Sequence, residues 1–108
     1  MKKRLLFICT ENIHRSPTAE SLFKKSKKYE AKSAGISIFS EKMINEEALK
    51  WADIIFVMED FHKKIIAEYF PDIKDKIIVL NIPDIYVRND PKLIGILIKR
   101  LKENKIEV

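Results

Sequence analysis

Three short runs of consecutive apolar residues constrain the fold of this chain most, and they lie at residues 5–8, 54–58 and 77–80. Runs that are continuous rather than alternating are typical of strands in a parallel sheet with helices on both faces. We predict strands near residues 3–9, 29–33, 53–58 and 76–81, and helices near residues 17–27, 43–52, 60–69 and 91–103. This alternation, with right-handed crossovers, predicts an α/β fold in the form of a three-layer α/β/α sandwich.

The segment after the first apolar run carries the only cysteine of the chain. Residues 9–16 read Cys-Thr-Glu-Asn-Ile-His-Arg-Ser, so five residues separate Cys9 from Arg15. A short loop with inward-pointing backbone N–H groups, a helix N-terminus behind it and a guanidinium beside it binds phosphate. In such a loop the positive surroundings favour the thiolate of Cys9, which attacks as a nucleophile while Arg15 clamps the phosphate.

A purely structural role is the alternative for this cysteine, because a cysteine that ends an apolar strand often serves as a small buried hydrophobic side chain. The surrounding sequence favours the phosphate loop. Ser16 is a suitable N-cap and Pro17 a suitable first helical residue, so we predict that a helix begins directly after Arg15.

Residues 5–20, which read LLFICTENIHRSPTAE, resemble the signature of the low-molecular-weight protein tyrosine phosphatases and the related arsenate reductases. The similarity continues at residues 33–35, which resemble the segment after the second strand of that family, and at residues 52–62 and 83–86. The resemblance implies a four-stranded parallel sheet with the strand order 2-1-3-4. In such sheets ligands bind beyond the carboxyl ends of the strands, where we expect Cys9, Glu59 and Asp84 to lie.

The resemblance also implies a set of residues that bind the substrate phosphate. Asn12 corresponds to a family asparagine that bonds within the loop and tolerates a left-handed backbone. Ser16 could donate a hydrogen bond to the thiolate, or act only as an N-cap. Tyr86 could stack on an aryl phosphate, or pack under its loop. The predicted substrate-binding residues are Thr10, Glu11, Asn12, Ile13, His14, Ser16 and Tyr86.

Two aspartates compete for the role of general acid, which protonates the leaving group. Asp84 follows the fourth apolar run, at the position from which the acid of the family reaches the phosphate, although the family usually has Asp-Pro where this chain has Pro83 before the aspartate. Asp90 is followed by Pro91 and a helical pattern, so it is better explained as an N-cap. We therefore predict that Cys9, Arg15 and Asp84 are the catalytic residues.

Three departures from the family pattern bear on activity. Glu11 stands where the family usually has glycine, and His14 replaces a cysteine that protects the nucleophile by forming a reversible disulfide with it. The segment between Gly35 and the second helix is short, which removes residues that line the substrate cleft in the family.

Composition predicts an ordinary globular chain of 108 residues, with 46% hydrophobic and 34% charged residues, forming one phosphatase-like domain over residues 1–108. We expect no membrane span and no signal peptide, and therefore a cytoplasmic location, where a lone reactive thiol stays reduced. The net charge is +5, but the basic residues are scattered and the group at residues 24–28 is better explained as a solvated helix end, so we do not expect nucleic acid as a partner. Neither histidine has a metal-ligand partner at a suitable spacing, and we expect no metal and no cofactor.

The functional hypothesis is a phosphatase that hydrolyses phosphotyrosine or other aryl phosphomonoesters through a phosphocysteine intermediate. Its substrate would be a phosphorylated protein or a small aryl phosphate, and the sequence predicts nothing about the oligomeric state. A non-catalytic phosphate-binding or phosphopeptide-binding domain is the alternative. An arsenate reductase is a weaker alternative, because that reaction typically uses additional cysteines and Cys9 has no thiol partner in the chain.

Overall fold

A computed structural model describes residues 2–108 and shows a four-stranded parallel sheet with helices on both faces. The strands are β1 at Lys3–Cys9, β2 at Tyr29–Gly35, β3 at Ile54–Val57 and β4 at Ile77–Val79. The helices are α1 at Arg15–Ser21, α2 at Glu46–Trp51, α3 at Asp60–Tyr69 and α4 at Pro91–Glu103, with a 3-10 helix at Pro71–Lys76 before β4. The strand order is β2-β1-β3-β4, which confirms the predicted fold class and sheet order.

The sheet divides the core into two layers, because successive side chains of a strand point to opposite faces. On one face Phe7 stacks between Phe23 and Phe56, with ring centroids 5.8 Å and 5.5 Å apart, beneath α1 and α4. On the other face Leu6 and Ile8 pack with buried residues of α2 and α3. The continuous apolar run of β1 therefore supplies both layers, and each fully buried side chain of this size contributes about 1.5 to 3 kcal/mol of hydrophobic stabilisation.

The first helix differs from its prediction at both ends. It begins at Arg15 instead of residue 17 and ends at Ser21 instead of residue 27. Beyond its end the backbone N–H groups of Leu22 and Phe23 bond to the carbonyls three residues earlier, which tightens the chain into turns. The same turns place Phe23 against the core, so burial of this aromatic ring accompanies the early end of the helix.

The second strand and second helix also have boundaries that differ from the predictions. β2 extends to Gly35 instead of residue 33, because all seven of its residues pair with β1. Residues 33–35 are therefore the end of β2, and their predicted position after the strand is wrong. α2 begins at Glu46 instead of residue 43, because the Asn45 side chain accepts a hydrogen bond of 2.8 Å from the backbone of Ala48 and caps the helix there.

No helix within the described residues 2–108 is long and apolar enough to cross a bilayer.

Candidate active site

A tight loop joins β1 to α1 at the carboxyl edge of the sheet. Asn12 adopts a left-handed backbone conformation in this loop, with φ of 57°, as the sequence predicted. The chain after β2 runs alongside, and the backbone of Ser37 donates a 2.9 Å hydrogen bond to the carbonyl of Thr10. Gly35 makes this approach possible, since a Cβ atom there would lie 2.8 Å from the Thr10 carbonyl oxygen and would clash with Ser40. Backbone from two strands thus fixes the shape of the loop.

The Cys9 sulfur lies at the base of the loop in a hydrogen-bonded chain of side chains. Sγ of Cys9 is 3.0 Å from Oγ of Ser16, and Nδ2 of Asn12 donates a 2.8 Å bond to the same Ser16 oxygen. All three residues are buried. The single proton of the Ser16 hydroxyl has two acceptors, the sulfur and the carbonyl of Ala34 at 3.3 Å. A thiolate cannot donate, so a bond between it and this hydroxyl uses the serine proton and stabilises the negative charge.

Ser16 is not the N-cap of α1, so that part of the prediction is wrong. The helix begins two residues earlier than predicted, at Arg15, so His14 is in the cap position and Ser16 is the second helical residue. Its side chain is 0% exposed and faces the sulfur and the carbonyl of Ala34. Of the two roles predicted for it, the Ser16 hydroxyl therefore has the contact with the Cys9 sulfur and does not cap α1.

Arg15 is buried, with only 1% of its side chain exposed, and its position is fixed by contacts from two other strand ends. Nη1 donates hydrogen bonds of 2.7 Å to a carboxylate oxygen of Glu59 and of 2.7 Å to the backbone carbonyl of Ile82. Nε lies 3.7 Å from Oδ1 of Asp84. A buried guanidinium requires such partners, and these leave other N–H groups of the same side chain for an anion.

His62 joins the loop to α3. The backbone N–H of Glu59 donates to Nδ1 of His62 at 3.0 Å, so in the neutral ring the proton is on Nε2, which lies 3.0 Å from the Thr10 hydroxyl. Burial and, second, the neighbouring Arg15 guanidinium lower the pKa of His62 from 6.5 to about 4, against opposing contributions from Glu59 and Asp84. The histidine is therefore neutral at physiological pH, and it links the phosphate loop to the turn before α3.

A cavity of about 50 Å³ opens over the Cys9 sulfur. By this measure roughly 10 to 15 Å³ is enough for one water molecule, so the cavity has room for a small group such as an oxyanion. Its lining comprises Cys9, Thr10, Glu11, Ile13, His14, Arg15 and Asp84.

The remaining predicted site residues lie around this cavity or below it. Glu11 and Ile13 are exposed at its lining, and His14 is half-buried there. Asn12 lies beneath the loop, and its Oδ1 is buried without a hydrogen-bond partner among the described residues. Tyr86 is half-buried against the core on the side of α4, and is not part of the cavity lining.

The structure distinguishes the two aspartates that compete for the role of general acid. Asp84 lines the cavity, and 60% of its side chain is exposed. Asp90 caps α4, accepting a 2.8 Å bond from the backbone of Lys92 with Pro91 as the first helical residue, so its predicted N-cap role is confirmed.

A larger cavity of about 460 Å³ lies between β2 and α2, away from the sulfur. Lys32 covers its Trp51 wall, with Nζ 4.4 Å from the ring centroid, and its lining includes neither Cys9 nor Arg15. Volume alone therefore does not identify the reactive site, whereas the cysteine, the buried arginine and the carboxylate do.

Two residues of the site were not predicted from the sequence to have a role, namely Glu59 as the partner of Arg15 and Arg88 as a contact of the loop. Glu59 had a positional signal, because it follows β3 directly at the edge where the site was expected. Arg88 had none. Its Nε donates a 2.6 Å bond to the carbonyl of Ile13, a residue 75 positions away. Over residues 2–108, no group of three or more His, Cys, Asp or Glu side chains could hold a metal ion.

Comparison with known proteins agrees with this geometry. A family model described as low molecular weight phosphotyrosine protein phosphatase matches residues 4–50. A protein-arginine-phosphatase of Geobacillus stearothermophilus is 32% identical over 104 residues, covering 74% of this chain and 70% of that protein. The structure of the YwlE arginine phosphatase from Geobacillus stearothermophilus gives a TM-score of 0.72 at 27% identity, covering 95% of this chain and 92% of the other. A low molecular weight protein tyrosine phosphatase from T. tengcongensis gives 0.70 at 28% identity, covering 95% and 99%.

The fold and the loop are those of a cysteine-dependent phosphatase, in which the nucleophile ends the first strand of a parallel sheet. Within that class, the chain belongs to the low-molecular-weight phosphotyrosine protein phosphatase family. The resemblance noted in the sequence is thereby confirmed.

Proposed function

We propose that this protein hydrolyses aryl phosphomonoesters, including phosphotyrosine in proteins, through a phosphocysteine intermediate. The observation that carries the proposal is the cavity in which the Cys9 sulfur, the buried Arg15 and the Asp84 carboxyl converge. Residues 1–108 act as one phosphatase domain in this proposal. A cytoplasmic location follows from the need of a lone nucleophilic cysteine for a reducing compartment.

The first step transfers the phosphoryl group to the protein. The Cys9 thiolate attacks phosphorus, an S–P bond forms, and the P–O bond to the leaving group breaks. Asp84 in its acid form gives its proton to the leaving oxygen, so an alcohol or phenol departs. Arg15 and the backbone N–H groups of the loop stabilise the negative charge on the three non-reacting oxygens.

The second step returns the enzyme to its starting state. Asp84, now a carboxylate, takes a proton from water as the water oxygen attacks phosphorus. The S–P bond breaks, inorganic phosphate forms, and Cys9 leaves as a thiolate. The Ser16 hydroxyl, 3.0 Å from the sulfur, stabilises that departing negative charge.

The mouth of the cavity favours a substrate with a flat or extended group beyond the phosphate. With the phosphoryl group at the Cys9 sulfur, an aryl ring bonded to it would extend towards solvent, where the exposed Ile13 side chain lines the cavity. This contact is the apolar part of the proposed preference for aryl phosphates.

Phosphorylated arginine in proteins is a second candidate substrate, and one observation favours it. Glu11 and Asp84 place two carboxyl groups at the cavity lining, and the relative from Geobacillus stearothermophilus is a protein-arginine-phosphatase. A carboxylate beside the mouth repels a phosphate dianion but attracts a guanidinium attached to it.

Glu11→Gln separates these two substrates. Phosphate release should be measured from a phosphotyrosine peptide and from the matched phosphoarginine peptide, with wild-type and variant protein. If aryl phosphates are the substrate, removing the charge raises kcat/KM for phosphotyrosine. If phosphoarginine is the substrate, the same change lowers kcat/KM for phosphoarginine, and the phosphotyrosine peptide is the poorer substrate throughout. Absence of release from both peptides would contradict the proposed function.

A further inference from the structure

Arg88 connects three segments that surround the cavity. Its Nε donates a 2.6 Å hydrogen bond to the carbonyl of Ile13 in the phosphate loop, and its Nη2 lies 3.2 Å from a carboxylate oxygen of Glu41, in the segment after β2. Its own backbone N–H donates to Nδ1 of His14 at 3.1 Å. One residue of the loop between β4 and α4 is therefore held at three points.

The next residue reinforces this attachment. The backbone N–H of Asn89 donates a 2.9 Å bond to the hydroxyl of Thr18 in α1, and that hydroxyl donates its own proton to the carbonyl of His14 at 2.7 Å. Asn89 has a left-handed backbone with φ of 63°, which asparagine tolerates. Residues 88–89 are thus fixed to the phosphate loop and to the helix that follows it.

The other end of the same loop is fixed at Ile82. Its backbone N–H donates a 2.8 Å bond to the carbonyl of Met58, and its carbonyl accepts from Arg15. Between Ile82 and Arg88, Tyr86 is half-buried and the other residues of 83–87 are exposed.

Asp84 lies within this exposed stretch and has few contacts of its own. Its carboxyl is 60% exposed, and its Oδ1 is 3.7 Å from Nε of Arg15, beyond hydrogen-bond distance. The two fixed ends of the loop, with Tyr86 between them, therefore determine where this carboxyl lies.

We propose that Arg88 is a positioning residue for the general acid Asp84, an inference that rests on the proposed function. Loss of the two Arg88 side-chain contacts leaves only the backbone bonds of Arg88 to His14 and of Asn89 to Thr18 at the downstream end of the loop. This end is then held less firmly, and the Asp84 carboxyl spreads over more positions. The carboxyl is then less often within reach of the leaving oxygen, and proton donation slows. Esters with poor leaving groups depend on that proton, whereas esters with good leaving groups depart as anions without it.

The test compares Arg88→Ala with Arg100→Ala, a matched control on α4. The Arg100 side chain is 32% exposed and is 3.4 Å from its partner Glu103, against 42% and 3.2 Å for Arg88 and Glu41. The measurement is kcat/KM for phenyl phosphate and for dinitrophenyl phosphate. This parameter reports the steps up to phosphoryl transfer, in which the leaving group departs.

We expect Arg88→Ala to lower kcat/KM about tenfold for phenyl phosphate and less than about twofold for dinitrophenyl phosphate, because it removes part of an acid contribution of about 10²-fold or more. Arg100→Ala should change neither value. Competitive inhibition by inorganic phosphate should be the same in all three proteins, because the phosphate loop keeps its bond to Ser37 and its Asn12–Ser16–Cys9 contacts when the Arg88 bond to Ile13 is lost. Arg88→Lys should restore part of the loss.

Repeating the Arg88→Ala substitution in an Asp84→Ala protein shows whether Arg88 acts through Asp84 or independently of it. In Asp84→Ala the acid is absent, so adding Arg88→Ala should cost less than about twofold further for phenyl phosphate, a strongly non-additive result. Equal losses for both substrates, weakened phosphate inhibition, or full additivity with Asp84→Ala would each overturn the inference. Glu41→Ala, at an exposed residue, should change the substrate ratio in the same direction by less, and gives the test if Arg88→Ala does not fold. If wild-type protein shows no release that depends on Cys9, the proposed function itself fails.

Discussion

The neutral His62 makes the stability of this protein depend on pH in a direction that can be tested. His62 is buried, and both ring nitrogens have partners, the backbone of Glu59 and the hydroxyl of Thr10. Protonation would place a second donor against the Glu59 N–H and a positive charge beside Arg15. The perturbation is a decrease in pH, and the comparison protein is His62→Gln, which cannot titrate.

The sign and size of this pH dependence follow from the pKa of His62. Burial, and second the Arg15 guanidinium, lower it from 6.5 to about 4 in the folded protein. Between these two values the unfolded chain binds a proton that the folded protein does not. The His62 contribution is therefore complete above pH 6.5 and decreases as the pH falls towards about 4. The free energy of unfolding falls by at most about 1.4 kcal/mol per pH unit, or roughly 2 to 3 kcal/mol over the whole interval.

Urea unfolding at several pH values between about 7 and 4.5 measures this dependence by linear extrapolation. His62→Gln should be less stable than the wild type near neutral pH, because it disturbs the link between Thr10 and α3. The difference should shrink as the pH falls, since only the wild type loses the His62 contribution. The other titratable groups are common to both proteins, so the difference between the two curves reports His62. Parallel curves for the two proteins over this range would refute the reasoning.

Three further predictions concern the cavity and its surroundings. Asp84→Ala should lower kcat/KM on the order of 10²-fold or more for substrates with poor leaving groups, with little loss of stability. Asp90→Ala should lower the free energy of unfolding in urea by about 1 kcal/mol and leave kcat/KM nearly unchanged, and the reverse pattern would transfer the acid role to Asp90. Glu11→Gln should strengthen competitive inhibition by inorganic phosphate several-fold, more at low salt, because an exposed carboxylate near the anion is screened by ions; inhibition unchanged at every ionic strength would make Glu11 irrelevant to the site. Iodoacetamide should alkylate Cys9 at near-neutral pH, and inorganic phosphate should protect it; an alkylation rate that phosphate does not slow would place the reactive thiol outside the phosphate site.

The sheet was predictable because its signal is local and strong. The apolar runs of β1, β3 and β4 are continuous in sequence, and burial on both faces of a parallel sheet explains them directly. The ends of α1 were not predictable in the same way. The helix starts at Arg15 because the loop before it closes around the sulfur, and it ends at Ser21 as Phe23 turns into the core. Both causes depend on tertiary packing.

The candidate site was likewise predictable where its residues are contiguous in sequence, and not where its contacts come from distant parts of the chain. Cys9, Arg15 and the loop between them are contiguous in sequence, so their spacing already predicted a phosphate-binding loop. The groups that fix them come from distant parts of the chain. Arg15 and Glu59 are 44 residues apart, and Thr10 and His62 are 52 residues apart. Such pairs become visible only when the strand order brings the strand ends together.

Ser16 fits the sequence pattern of a helix N-cap, but its side chain has a different contact in the structure. Serine followed by proline is typical of a helix start, and a helix does start close by. The structure gives the cap position to His14 and turns the Ser16 hydroxyl towards the Cys9 sulfur. The local pattern located the start of the helix to within two residues. Of the two roles that the sequence left open for Ser16, the structure shows the contact with the Cys9 sulfur and not the N-cap.

The central claim is that Cys9 carries the phosphoryl group during hydrolysis, and trapping that intermediate tests it most directly. Wild-type protein would be mixed with an aryl phosphate, quenched in acid within the first turnover, digested and examined by mass spectrometry. Cys9→Ala is the control, since it keeps the loop but removes any nucleophile at that position. We expect one phosphoryl group on the peptide that contains Cys9 in the wild type, together with phosphate release that Cys9→Ala lacks. Phosphate release by Cys9→Ala at the wild-type rate, or a phosphoryl group on a different peptide, would contradict the account.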